Sequence, residues 1–136
     1  MVGRTPPQKF GVSMSNKFHE IIPCVKLNLE KKNLIIFDDC VNMKNQEIME
    51  SYFTRGRHNN FNVIYLALSY YDVPSRSICG NSNFFIFCKL GKRNKDSIFN
   101  DLFSDTLDKE EFNSFENHLS VKNNYIALDK EKNQVY

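Results

Sequence analysis

The sequence has no tryptophan, only five glycines, and no apolar run near the ~20 residues that a membrane-crossing helix needs. Its first ten residues lack the apolar stretch of a secretory signal. Its cysteines, Cys24, Cys40, Cys79 and Cys88, are widely spaced and include no C-x-x-C pair. That spacing disfavours a zinc site and a disulfide framework, with or without help from His19, His58 and His118. Reduced, buried thiols and an intracellular, reducing setting are the expectation. Charge of one sign is also missing: 18 Lys and Arg stand against 16 Asp and Glu, for a net charge of +2. No global field therefore points to nucleic acid, and any such binding needs a local patch.

What is present is a globular composition. The 136 residues suit one domain of modest core, and the hydrophobic content of 41% excludes a disordered chain. Twelve Phe and six Tyr make an aromatic core the expectation. Residues 1–17 hold Pro6, Pro7, Gly3 and Gly11 among scattered polar groups, and read as a flexible leader. Residues 18–136 read as the folded domain.

Four apolar runs read as strands: 34–37, 63–68, 84–88 and 125–128. Each is nearly continuous in apolar character, which suits strands covered on both faces in a parallel α/β sheet. Between the first two, residues 46–54 place Ile48, Met49, Tyr52 and Phe53 on one helical face. This predicts a β-α-β unit with a right-handed crossover. After Lys95, the spacing of Ile98, Leu102 and Phe103 predicts a helix. Residues 108–119 predict another, with Phe112 and Phe115 inward. Asp108 followed by Glu111 resembles an N-terminal capping box.

The chemistry-bearing residues cluster around these elements. Leu34, Ile35, Ile36 and Phe37 run straight into Asp38 and Asp39. A buried strand that delivers two acids to its end is how nucleotide hydrolases hold magnesium and orient a water. A polar turn after a buried strand is the plainer alternative. Arg55, Gly56, Arg57 and His58 follow the first helix. Gly56 would permit a left-handed turn that separates the two arginines, and Arg57 could then reach a phosphate on a neighbouring subunit. Alternatively, both arginines simply compensate the helix C-terminus. Lys89, Lys92, Arg93 and Lys95 form a basic loop that could touch a nucleic-acid backbone, although such loops are usually only solvated.

Taken in order, these residues resemble the second half of the ATPase core in genome-packaging ATPases of large DNA viruses and Maverick/Polinton-type transposons, within the FtsK–HerA group. That family has a Walker B strand ending in FDD, a helix, YF-x-RGRH, a strand ending in a polar sensor, SY-x-x-VP, and I-R-x-N-x-N. The matching residues are Phe37, Asp38 and Asp39, then Tyr52 to Asn60, Ser69 to Pro74, and Ile78 to Asn83. Residues 112–129 are more weakly similar to the family's closing helix and strand.

The resemblance implies a partial P-loop NTPase (RecA/ASCE-like) α/β core with mainly parallel strands. It implies Asp38 as the magnesium ligand, Asp39 as the acid that polarises water, and Arg57, with Arg55 beside it, as an arginine acting in trans. Asn81 and Asn83 fall in the asparagine motif. The complete family domain uses ATP and Mg²⁺, assembles into rings of ATPase subunits, and moves DNA; no membrane partner is expected. A viral origin would place the chain in a virion or inside a host cell.

Three departures stand out. No phosphate-cradling G-x-x-x-x-G-K-S/T loop occurs in the sequence. The only Gly-Lys pair, Gly91-Lys92, has Arg93 where a hydroxyl should follow and Ile86 where the first glycine should sit. The family's sensor glutamine falls on Leu68, and the arginine of the I-R stretch is Cys79. The expectation is thus an incomplete ATPase-like domain, inactive alone and unable to hold ATP or Mg²⁺ tightly, or an interaction module for full-length subunits, or a nucleic-acid-binding remnant. In the family the phosphate-loop strand lies next to the sensor strand. Its absence would leave the 63–68 strand with an open edge, separated from the 84–88 strand.

Overall fold

The computed structural model describes residues 32–40, 46–58 and 61–136. The leader 1–17, His19 and Cys24 lie outside the described residues. The described residues build a mixed α and β structure from two small sheets, one parallel and one antiparallel.

The first unit is the expected β-α-β. Strand β1 (Asn33–Asp38) pairs in parallel with β2 (Phe61–Leu66), in a register that sets Asn33 against Phe61 and Asp38 against Leu66. Parallel neighbours need a crossover, and helix α1 (Glu47–Arg55) supplies it. The apolar spacing of α1 does what the sequence predicts. Met49 and Tyr52 are buried, and Ile48 and Phe53 pack beside them against Phe37, Cys40 and Phe61. The Tyr52 ring meets Phe37 edge-on at 5.6 Å and Phe61 at 5.4 Å. Burying side chains of this size stabilises the unit by about 2–3 kcal/mol each. Glu47 and Glu50 in the first turn and Arg55 in the last both oppose the helix dipole favourably.

Gly56 does not adopt the expected left-handed turn. It continues the helix at φ −56°, ψ −42° into a single turn, Gly56–His58. Its smallness serves packing instead, because a Cβ there would lie 3.2 Å from the Phe61 ring.

The second unit is antiparallel: β3 (Phe84–Phe87) pairs with β4 (Ile126–Asp129), which pairs with β5 (Gln134–Val135). The expected mainly parallel arrangement therefore holds for β1 and β2 only. Strands β2 and β3 lie in separate sheets, as expected above. Helix α2 (Lys92–Ile98) runs on through a wide turn to Phe103, and helix α3 (Lys109–Ser120) follows. Their inward residues Ile98, Phe103, Phe112 and Leu119 form one core with Ile126 and Leu128, and Phe115 packs at its margin. The Phe112 ring lies 5.2 Å from both Phe99 and Phe103. The capping box is formed: Asp108 accepts from the backbone N–H of Glu110 and Glu111 at 2.8 Å, and Glu111 accepts from the N–H of Asp108.

Among the described residues β1, β2 and β3 are covered on one face only, whereas β4 is buried along most of its length. Burial alternates along β1, β2 and β3, and leaves Leu34, Ile36, Ile64, Leu66, Phe84 and Ile86 exposed. The helices of each unit pack on the opposite faces. Cys40 and Cys79 are buried free thiols, whereas Cys88 continues the outward alternation of β3 and is exposed. No helix among the described residues is long and apolar enough to cross a membrane.

Candidate functional site

Asp38 and Asp39 leave β1 at the end of the parallel pair where open α/β sheets bind ligands. Both are exposed. Asp39 takes a left-handed conformation, φ 49°, and its N–H donates to the carbonyl of Leu66 at 3.1 Å, one step past the ladder. Aspartate tolerates this region better than most L-residues. The bend turns the chain out of the sheet right after Asp38, so consecutive acids sit at a corner rather than on opposite faces of a strand. Beneath the corner, the Cys40 thiol donates to the Asp38 carbonyl at 3.3 Å. Burial, chiefly, pushes the Cys40 thiol up from its ordinary value, so it stays protonated at neutral pH.

Tyr65 lies behind this corner, and the sequence reading did not single it out. Its ring sits between Phe37 and Phe53, and its buried hydroxyl has no hydrogen-bond partner among the described residues. Burial first, then Cys40 and Asp39 nearby, push its phenol up. The available signal was one hydroxyl inside an otherwise apolar stretch of β2.

The arginine turn lies elsewhere. Arg55 ends α1, and Arg57 and His58 belong to the turn Gly56–His58, just before β2 begins. Because Phe61 is in register with Asn33, this turn sits at the start of β1 while the acids sit at its end. Five strand steps separate the two ends, about 17 Å. Arg55 and His58 are exposed. The turn Gly56–His58 and the pair Asp38–Asp39 thus lie at opposite ends of the parallel pair.

The motif from Ser69 to Pro74 docks onto the second unit. Tyr70 donates to Asp101 at 3.2 Å, and the Tyr71 hydroxyl bonds Ser97 at 2.7 Å. Burial first, then Cys79 and Asp101, drive the Tyr70 phenol well up. Burial likewise pushes the Cys79 thiol up from its ordinary value. Asn81 Nδ2 donates to the Ser77 carbonyl at 2.7 Å, tying the turn Ser75–Cys79. Asn83 Nδ2 donates to Glu131, and the Asn83 carbonyl accepts from Lys130 at 2.9 Å, tying β3 to the β4–β5 turn. Both asparagines thus have structural duties.

The basic stretch is not a loop throughout: Lys89 is exposed after β3, but Lys92, Arg93 and Lys95 belong to α2. Asp96 in the same helix pairs with Lys109 at 2.6 Å, so the surface is mixed in charge. Gly91 precedes α2 in extended conformation, φ −71° and ψ 143°. Leu68, at the expected sensor position, is 93% exposed.

Comparison with protein-family models, curated proteins and solved structures returned no match.

The donor set must then be judged on its own chemistry. Two exposed carboxylates at a strand end are reasonable partners for a hydrated magnesium ion. Among the described residues no third His, Cys, Asp or Glu joins them in a group able to hold a metal. Magnesium in nucleotide sites relies on phosphate oxygens for much of its shell, and phosphates need backbone N–H groups and a lysine. Since the sequence offers no such loop, these two carboxylates would hold Mg²⁺ without the phosphate-binding donors that this chemistry ordinarily uses.

Proposed function

We propose that this chain is an incomplete genome-packaging ATPase-like unit that retains the acid corner and the arginine turn but does not hydrolyse ATP alone. The observation that carries the reading is the β-α-β unit whose first strand ends in Asp38 and Asp39. In the complete family domain Asp38 would serve the metal and Asp39 the water, and DNA would be the cargo. The chain lacks the phosphate grip, and two carboxylates alone repel a triphosphate. Leu68 cannot replace a hydrogen-bonding sensor.

A second reading, an interaction module, draws on the position of the arginines. A turn about 17 Å from its own acids would serve a nucleotide held by another subunit rather than one held at those acids. Here the chain would join full-length ATPase subunits and either supply Arg57 or block ring assembly.

Phosphate release tests both. The chain alone should show none above background; release that disappears in Asp39→Asn would overturn the first reading. Mixed with an intact ATPase of the same family, the chain should change that enzyme's rate, and Arg57→Ala should abolish a stimulation. An unchanged rate and no co-purification would remove the second reading.

A further inference from the structure

The outer face of the antiparallel sheet is hollow and aromatic. Phe85, Phe87, Ile126, Leu128 and Val135 of its three strands turn toward the helical core, so alternation sends their neighbours the other way. Phe84 is 50% exposed, Ile86 60%, Tyr125 58% and Tyr136 56%, whereas Ala127 among them is only 4% exposed. The register sets Ile86 against Ala127, and Ala127 exchanges two backbone hydrogen bonds with Tyr136 at 2.9 and 3.0 Å. A single methyl flanked by larger side chains makes a floor with walls. The hollow measures about 750 Å³, within the ~300–1,000 Å³ typical of ligand sites. The Tyr136 hydroxyl donates to Gln134 Oε1 at 3.0 Å, which steadies that ring.

The rim of this hollow is basic. Lys132 lines it beside Asp129 and pairs with that carboxylate at 3.2 Å. Lys89 follows Cys88 and Lys122 precedes Asn123, two further lining residues. Both lysines are exposed, and neither pairs with an acid among the described residues. The nearby Glu131 is taken up by Asn83. Three lysines thus stand against one carboxylate around exposed rings. A purely apolar protein partner would leave those ammonium groups without counterparts. Unpaired nucleotides match both features, because their bases stack on rings and their phosphates attract lysines.

We propose that this face binds single-stranded nucleic acid, stacking bases on Phe84, Tyr125 and Tyr136 and setting phosphates against Lys89, Lys122 and Lys132. From Phe84 to Cys88 the face is about 13 Å long, and three strands make it about 10 Å wide. Sheets with exposed aromatic rings stack about two or three bases on such a surface. A duplex hides the flat faces of its bases, so single strands are the form that fits. Stacking tolerates any sequence, since every base has a π-face. The site lies on the other sheet from Asp38 and Asp39 and does not depend on the ATPase reading.

Fluorescence anisotropy of the full chain with a labelled oligothymidylate of about twelve nucleotides tests this. The expected result is saturable binding whose affinity falls with salt at a log–log slope of about −2, from three neutralised phosphates. Phe84→Ala, Tyr125→Ala and Tyr136→Ala should each weaken binding roughly 5- to 140-fold. Tyr125→Phe should retain it, because the ring and not the hydroxyl stacks. Lys92→Ala, on α2, should leave affinity unchanged. Ultraviolet cross-linking of the unaltered chain to a strand carrying iodouracil should mark Phe84, Tyr125 or Tyr136, which reads the site even where a variant fails to fold. Absence of saturable binding overturns the proposal, as does a loss in Lys92→Ala as large as at the rings. So does a duplex of the same length that binds as tightly, or cross-links confined to other residues. If the alanine variants instead turn a dimer into a monomer and leave the affinity unchanged, a second copy covers this face and the proposal fails.

Discussion

Replacing Asp39 separates what its backbone needs from what its carboxylate does. The residue sits at φ 49° with its N–H bonded to the Leu66 carbonyl at 3.1 Å. A left-handed conformation costs an ordinary L-residue roughly 1–2 kcal/mol, and Asn or Asp less. Asp39→Asn should therefore leave stability unchanged within about 0.5 kcal/mol. Asp39→Val puts a β-branched side chain in that region and should cost about 1–2 kcal/mol. Asp39→Gly gains conformational ease but loses about as much to chain entropy, and should fall near zero. With a urea slope of about 1–3 kcal/mol/M, the valine variant should lower the unfolding midpoint by roughly 0.3–2 M. Equilibrium urea denaturation followed by far-UV circular dichroism reads all three. If Asp39→Val matches Asp39→Asn, the corner is not held as described, and the reading that it presents two acids together loses its basis.

Other perturbations follow from the same contacts. Asp108→Ala removes a side chain that caps two N–H groups of α3 and should cost about 1 kcal/mol, seen as a lower melting temperature. Tyr65→Phe deletes a buried hydroxyl with no partner among the described residues and should be neutral or stabilising by up to about 1 kcal/mol. A clear loss in chemical denaturation would show that the hydroxyl is bonded. Asp129 accepts from the N–H groups of Lys132 and Glu131 and pairs with the Lys132 ammonium, and these hold its carboxyl below the ordinary value of 3.8. Its stabilising effect is complete above that value and is lost as pH falls through the lowered one. Stability measured between pH 5 and pH 2 should therefore fall less steeply for Asp129→Asn than for the parent chain.

The sequence made the local grammar of this fold readable where one helix face decides the matter. Ile48, Met49, Tyr52 and Phe53 announced α1, and Asp108 with Glu111 announced the start of α3. The strand runs were legible as strands but not as pairings. Phe84 to Phe87 is apolar throughout, so nothing in it says that Phe85 and Phe87 face a core while Phe84 and Ile86 do not. Nor does it reveal an antiparallel partner far along the chain, at Ile126 to Asp129. Gly56 was read through its freedom, yet it matters for its size beside Phe61. Asn81 and Asn83 stood in the asparagine motif without a role because their partners were invisible: Asn83 reaches Glu131, a contact that only tertiary folding makes. That Asp38 and Asp39 stand at the end of β1 was legible because a strand followed by paired carboxylates is itself a local signal. Tyr65 was missed because one hydroxyl in an apolar strand carries no spacing to read.

Calorimetric titration of the 136-residue chain with ATP, in magnesium and again in EDTA, reaches the central claim most directly. Carboxylates at a strand end, without phosphate-binding donors, should give no measurable binding heat under either condition, and Asp39→Asn should behave the same. Saturable, magnesium-dependent binding at micromolar ATP that Asp38→Asn abolishes would contradict the account, because it would place a working phosphate grip within this chain.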